Sequence, residues 1–154
     1  MRLYLVQHAE ALPADVDPAR PLSANGRTDA ERVATLLTGQ VLGITRVLHS
    51  GKTRAEQTAG ILAPEIARGA PLQAVGGMNP LDDPEPWVQE IDAWTEDVML
   101  VGHLPFMSKL VSRLLVGDAD VGVVAFEPGS VVCLERQEAH WTIAWMLRPA
   151  LLPA

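Results

Sequence analysis

Short apolar runs alternate with amphipathic stretches along this chain, and the alternation orders most of its elements. Leu3 to Val6 reads as a strand, followed by a loop rich in Pro, Ala and Asp from Ala11 to Pro21. Ser23 is placed to cap a helix whose apolar face repeats at i, i+3, i+4 and i+7 through Ala30, Val33, Ala34 and Leu37, with Gly39 as its stop. Arg46 to His49 reads as a second strand. A helix starting near Thr53 or Arg54 then passes through Ile61 and Leu62 to Pro64.

Leu72 to Val75 is a short, weak strand. Gly76 to Pro80 turn the chain into a helix carrying Trp87, Val88, Ile91 and Trp94 on one face. Strand Val98 to Val101 precedes a helix opened by Pro105, a residue favoured in a first turn, with the stripe Phe106, Met107, Leu110, Val111, Leu114 and Leu115. After Gly117, Ser130 to Leu134 and Trp141 to Met146 read as two strands joined by a polar hairpin from Glu135 to His140. Strands alternating with helices in this way predict an α/β fold with a mostly parallel, doubly wound sheet and helices on both faces. No repeat, low-complexity tract or linker divides residues 1–154, so a single domain is expected.

Composition narrows the function classes. A net charge of −7 with no basic stripe argues against nucleic acid. No apolar run approaches the roughly 20 residues a membrane span needs, and Gln7-His8 interrupts the first run too early for a signal peptide. The single cysteine, Cys133, reads as a buried strand residue and excludes both an internal disulfide and a multi-cysteine metal site. A cytoplasmic location is the expectation. The four tryptophans fall at helical or strand spacing and read as packing residues rather than a base-stacking platform.

The candidate chemistry lies at strand ends. His8 and His103 each follow an apolar strand, where ligands of open α/β sheets bind. Two neutral imidazoles there suit nucleophilic attack on phosphorus and support of the transferred group. A lone histidine at such a position is more often structural; two of them with Arg54 make a different pattern. Arg54 opens a helix at a third strand-to-helix junction, where the helix dipole prefers an anion. A guanidinium is better placed there if an anion binds beside it, because its rigid donor fork matches phosphate oxygens. His49 and His140 read as a plain strand residue and a plain hairpin residue.

Four segments carry a family resemblance. Gln7-His8-Ala9-Glu10 resembles an Arg-His-Gly/Ala-Glu box, and Arg20-Pro21-Leu22-Ser23 with Asn25-Gly26-Arg27 resembles an Arg-Pro-Leu-Ser/Thr segment. Ser50 through Arg54-Ala55-Glu56-Gln57-Thr58-Ala59 resembles a Ser-Pro-x-x-Arg-Ala-x-Gln-Thr-Ala box, with Gly51 in place of the proline. Gly102-His103-Leu104-Pro105 resembles a Gly-His-x-Pro box. Together, in this order, they resemble the histidine phosphatase superfamily and its short, SixA-like phosphohistidine phosphatase branch. The match runs from Met1 to about Leu115. The resemblance implies a phosphoglycerate mutase-like fold, no metal and no cofactor. It also implies a phosphohistidine intermediate on His8, with Arg20, Arg54 and His103 holding the phosphoryl oxygens. His8 must then be neutral, its neighbours cationic, and one of its ring nitrogens fixed by a backbone hydrogen bond.

Three positions stay open. The leaving-group acid falls to Asp82 or Asp83 by the family's pattern, and Asp83 is the candidate; Asp83-Pro84-Glu85 equally suits a helix start. Glu10 either orients a pocket arginine or is solvated. Gln7 stands where the family places arginine, which removes one charge from the phosphate site and leaves one donor group. That loss is expected to cost roughly ten- to hundredfold in rate, unless Lys52 or Arg27 compensates. The expected partner is a phosphorylated protein, a histidine phosphotransfer domain among them, or a small phosphorylated metabolite. The competing reading is a phospho-binding module with little or no turnover.

Overall fold

The computed structural model describes residues 1–40 and 42–154. At its centre, β1 (Arg2–Gln7) pairs in parallel with β4 (Asp97–Gly102), and β4 pairs in parallel with β2 (Ile44–His49). β3 (Leu72–Ala74) extends this parallel set at one edge. β5 (Val131–Gln137) runs antiparallel to β1 and carries β6 (His140–Leu147) as an antiparallel hairpin at the other edge. The sheet order is β3-β2-β4-β1-β5-β6.

Strand geometry explains why the central strands are apolar throughout. Successive side chains point to opposite faces, and here both faces are covered. Leu3 and Leu5 of β1, Val98 and Leu100 of β4, and Val132 and Leu134 of β5 pack with α3 (Glu85–Asp92) and α4 (Phe106–Val116). Tyr4, Val6, Met99, Val101, Val131 and Cys133 pack on the other side with α1 (Ala24–Leu37) and α2 (Thr53–Ile66). A fully buried Leu or Val contributes roughly 1.5–3 kcal/mol, so the middle of the sheet anchors the fold.

The connections create the site. α1 follows β1 on one face of the sheet, whereas α4 follows β4 on the other. Chain segments leaving these two adjacent strands diverge, and a crevice opens beyond their carboxyl ends. Ser23 caps α1 as expected, its hydroxyl accepting from the Gly26 N–H at 3.0 Å.

Some boundaries differ from the sequence reading. β2 starts at Ile44 rather than Arg46, and β3 ends at Ala74. α2 continues through Pro64 to Ile66, because Ile66 and Ala67 are buried against the core. α3 stops at Asp92, yet Trp94 beyond it stays buried, edge-on to Trp87 with ring centroids 6.3 Å apart. The hairpin turn contracts to Glu138 and Ala139, with Glu138 in the left-handed region at φ 57°.

Candidate active site

Register brings the two histidines together. Gln7 pairs with Gly102, so the next residue on each strand is a histidine, and the His8 N–H donates to the Gly102 carbonyl at 2.9 Å. The two imidazole centroids lie 5.0 Å apart with their planes inclined at 51°. His8 Nδ1 sits 2.7 Å from the Ala9 carbonyl oxygen. A carbonyl only accepts, so this network assigns the proton to Nδ1 and leaves a lone pair on Nε2. Burial pushes the His8 pKa down to about 4, with the charges of Arg54 and Arg20 adding to it against the opposing pull of the Ala9 carbonyl. His8 is therefore neutral at neutral pH, the state a nucleophile needs.

His103 is held through its other nitrogen. The Ser50 hydroxyl lies 2.6 Å from His103 Nε2 and accepts the Lys52 N–H at 3.3 Å. His103 Nδ1 is buried without a partner. One ring thus offers a lone pair on Nε2 and the other an unspent Nδ1. The expectation of a cationic His103 is corrected. Burial, followed by the effects of His8, Arg54, Lys52 and Arg20, pushes its pKa down to about 3, so it is neutral while no anion balances those charges.

The arginines supply the charge. Arg54 occupies the first turn of α2, and its Nε is buried with no partner. Arg20 sits in the left-handed region at φ 47°, and its Nε donates to the Leu12 carbonyl at 3.1 Å. A non-glycine residue at positive φ is strained and marks a loop held in one shape. Burial and then the nearby charge of Arg20 depress the Arg54 pKa. Neither guanidinium has a carboxylate partner among the described residues. Two cations held together without an anion form a site that an anion relieves. Gln7, the residue before His8, is buried at 8% exposure with its Oε1 unpartnered.

Other candidates lie elsewhere. Asp83 Oδ1 accepts the Glu85 N–H at 3.0 Å and Asp82 Oδ2 accepts the Asn79 N–H at 2.7 Å, so both carboxylates are engaged in turns leading to α3. Both line a cleft with Lys109 and Arg113 rather than with the histidines. Glu10 is exposed and bonds no arginine; its Oε1 accepts from the Ser23 hydroxyl at 2.6 Å and ties the end of the first strand's loop to the start of α1. Arg27 is exposed on α1. Lys52 is close enough for its charge to lower the His103 pKa. His49 is a buried strand residue whose Nδ1 accepts the Gly51 N–H at 3.1 Å, and His140 is exposed at the start of β6. Among the described residues no group of three or more His, Cys, Asp or Glu side chains could hold a metal. Sequence reasoning gave Ser50, Gln57 and Thr58 no role. The signal for Ser50 was its position just past a strand's carboxyl end, the same one that marked both histidines.

Comparison with known proteins agrees with this geometry. No protein-family model matches the chain. The phosphohistidine phosphatase SixA of Escherichia coli (strain K12) is 28% identical over 158 residues, covering 99% of this chain and 96% of that protein. A solved structure of the protein histidine phosphatase SixA complexed with tungstate superposes with a TM-score of 0.82 at 26% identity, covering 97% of this chain and 98% of that one. The α-ribazole phosphatase from Shigella flexneri shares the fold, with a TM-score of 0.80 at 18% identity over 97% of both chains. The fold and the paired histidines are similar to those of phosphatases of the histidine phosphatase superfamily. The chain is similar to SixA along almost its whole length.

Proposed function

We propose that this protein hydrolyses phosphohistidine through a covalent intermediate on His8. The carrying observation is the two rings brought together at the ends of β1 and β4: a neutral His8 with its Nε2 lone pair free, its centroid 5.0 Å from that of a His103 ring whose Nδ1 has no partner. Nε2 attacks phosphorus in line, a nitrogen–phosphorus bond forms, and the bond to the departing imidazole breaks, that ring leaving neutral because its distal nitrogen carries a proton. Water then attacks the phosphohistidine, releasing phosphate and regenerating the Nε2 lone pair. Arg54, Arg20 and His103 hold the equatorial oxygens, and the two guanidiniums balance the charge spread over them. That SixA is complexed with tungstate, a phosphate-like oxyanion, supports an oxyanion ligand for this protein.

Substrate class follows from the acids. Asp82, Asp83 and Glu10 are all engaged in hydrogen bonds away from the histidines. An alkoxide leaves poorly without an acid, whereas a phosphohistidine protonated on its distal ring nitrogen releases neutral imidazole. This favours phosphohistidine on a protein over an alkyl phosphomonoester, and a histidine phosphotransfer domain is the partner that presents it. Gln7 favours a second reading, a phosphate binder of low turnover, because it leaves the site one cation short.

Incubation with a phosphohistidine-bearing phosphotransfer domain and an aryl phosphate, with trapping of acid-labile phosphoenzyme, tests this directly. Turnover is expected, with label on His8 and faster release from the protein substrate. His8→Ala should lose activity by on the order of a thousandfold or more while inorganic phosphate still binds. Full activity in that variant refutes the nucleophile. Phosphate binding without turnover in the natural protein establishes the second reading.

A further inference from the structure

His8, Arg20 and Arg54 must meet at one point, yet they belong to three segments of chain. Two neighbouring side chains of α2 make the connections. Thr58 is 1% exposed, and its hydroxyl donates to the Arg54 carbonyl at 2.8 Å. By itself that is the ordinary back-bond of a helical threonine. The same oxygen, however, accepts the Ala9 N–H at 3.0 Å, from the turn that carries the nucleophile. Ala9 is fully buried, and its own carbonyl receives the His8 Nδ1–H at 2.7 Å. Gln57, one residue earlier, accepts the Leu22 N–H on Oε1 at 2.8 Å and so holds the loop bearing Arg20.

We propose that Thr58 is a positioning residue for the nucleophile and Gln57 a positioning residue for the phosphate-binding Arg20. Thr58 fixes the Ala9 peptide so that its carbonyl keeps His8 in the Nδ1–H tautomer with Nε2 aimed at phosphorus. Gln57 fixes the distance between Arg20 and Arg54. The assignment rests on the reading of His8 as nucleophile, and it separates into two kinetic signatures. Thr58→Val preserves shape and removes the acceptor. It should lower kcat about tenfold or more, with KM and phosphate affinity changed less than about twofold. Gln57→Met should weaken inorganic phosphate binding and raise KM about five- to tenfold, with kcat largely kept. Thr58→Ser retains the hydroxyl and should restore kcat.

The test combines turnover of a phosphohistidine-bearing protein, titration with inorganic phosphate and ¹⁵N NMR of the His8 ring. The natural protein and Thr58→Ser should show His8 protonated at Nδ1, and Thr58→Val a mixture of tautomers. An Nε2–H tautomer in the natural protein overturns the proposal. So does a Thr58→Val variant with unchanged tautomer and kcat, or one that loses kcat and phosphate affinity in equal measure, as a merely structural residue would. If Thr58→Val does not fold, the natural and serine spectra still decide, because loss of the Nδ1–H signature in either one refutes it. Absence of turnover in the natural protein counts against the proposed function alone, since the ring spectrum and the phosphate titration need no chemistry.

Discussion

Two charged regions of this molecule look alike in composition and differ in how their charges are partnered. In the cleft between α3 and α4, Arg113 donates to Glu85 at 2.9 and 3.1 Å, and Lys109 lies 3.6 Å from Asp120. Beyond the ends of β1 and β4, Arg54 Nε, His103 Nδ1 and Gln7 Oε1 are buried with no partner. Two other arginines keep a carboxylate: Arg46 Nε lies 2.8 Å from Glu96, and Arg148, whose Nε has no partner, donates from its terminal nitrogen to Glu127 at 3.0 Å. A buried polar group left unsatisfied costs about 1–3 kcal/mol, so a cluster of them persists only where something else is gained. The satisfied cleft serves structure. The unsatisfied crevice awaits a ligand.

Exchanging one arginine in each region gives the largest contrast. Arg54→Met should lower kcat/KM by about a hundredfold or more without loss of thermal stability, because it removes a partly buried cation held near Arg20. Arg113→Met should leave turnover unchanged and lower Tm by a few degrees at most, since a partly exposed pair contributes roughly 0.2–1 kcal/mol. Parallel thermal melts and phosphatase assays check both, and equal stability losses would break the contrast. Gln7→Arg comes next. Restoring a charged donor should raise kcat/KM roughly tenfold, and a fall would mean the pocket is shaped around the neutral amide.

A separate contrast concerns stability against pH. His8 and His103 are held at about 4 and about 3, below the ordinary 6.5. In that interval the unfolded chain binds protons that the folded chain refuses. Stability is therefore complete above about pH 6.5 and is lost as pH falls toward those values. Inorganic phosphate should blunt the loss by raising both pKa values. Urea unfolding at about pH 4.5 and about pH 7.5, with and without phosphate, measures it. No protective effect at the lower pH would place the anion elsewhere.

Much of this was legible beforehand because periodicity and position encode it. The apolar runs at Leu3–Val6 and Val98–Val101 mark strands covered on both faces, and the histidines that end them mark the crevice. The structure keeps Arg54 at the N-terminus of its helix, where the dipole argument places an anion. What was not legible depends on contacts between distant segments. The charge state of His103 follows from burial beside three cations, which no local pattern reveals. The choice for Glu10 between orienting an arginine and facing solvent turned on Ser23, a residue thirteen positions away that donates to it. Trp94 lies past the end of α3 and is kept inside by Trp87, so its helical spacing misplaced it.

The position of β1 in the sheet also bears on biosynthesis. It is made before every other described strand, yet its neighbours β4 and β5 begin only at Asp97 and Val131. A growing chain therefore carries Leu3 to Val6 as an apolar segment without a hydrogen-bonding mate through most of translation, in need of shelter from aggregation. No truncated product lacking β4 can align His8 with its partner ring. Catalytic competence should thus appear late and all at once, making the first phosphoenzyme a sign that the whole chain has been made and folded.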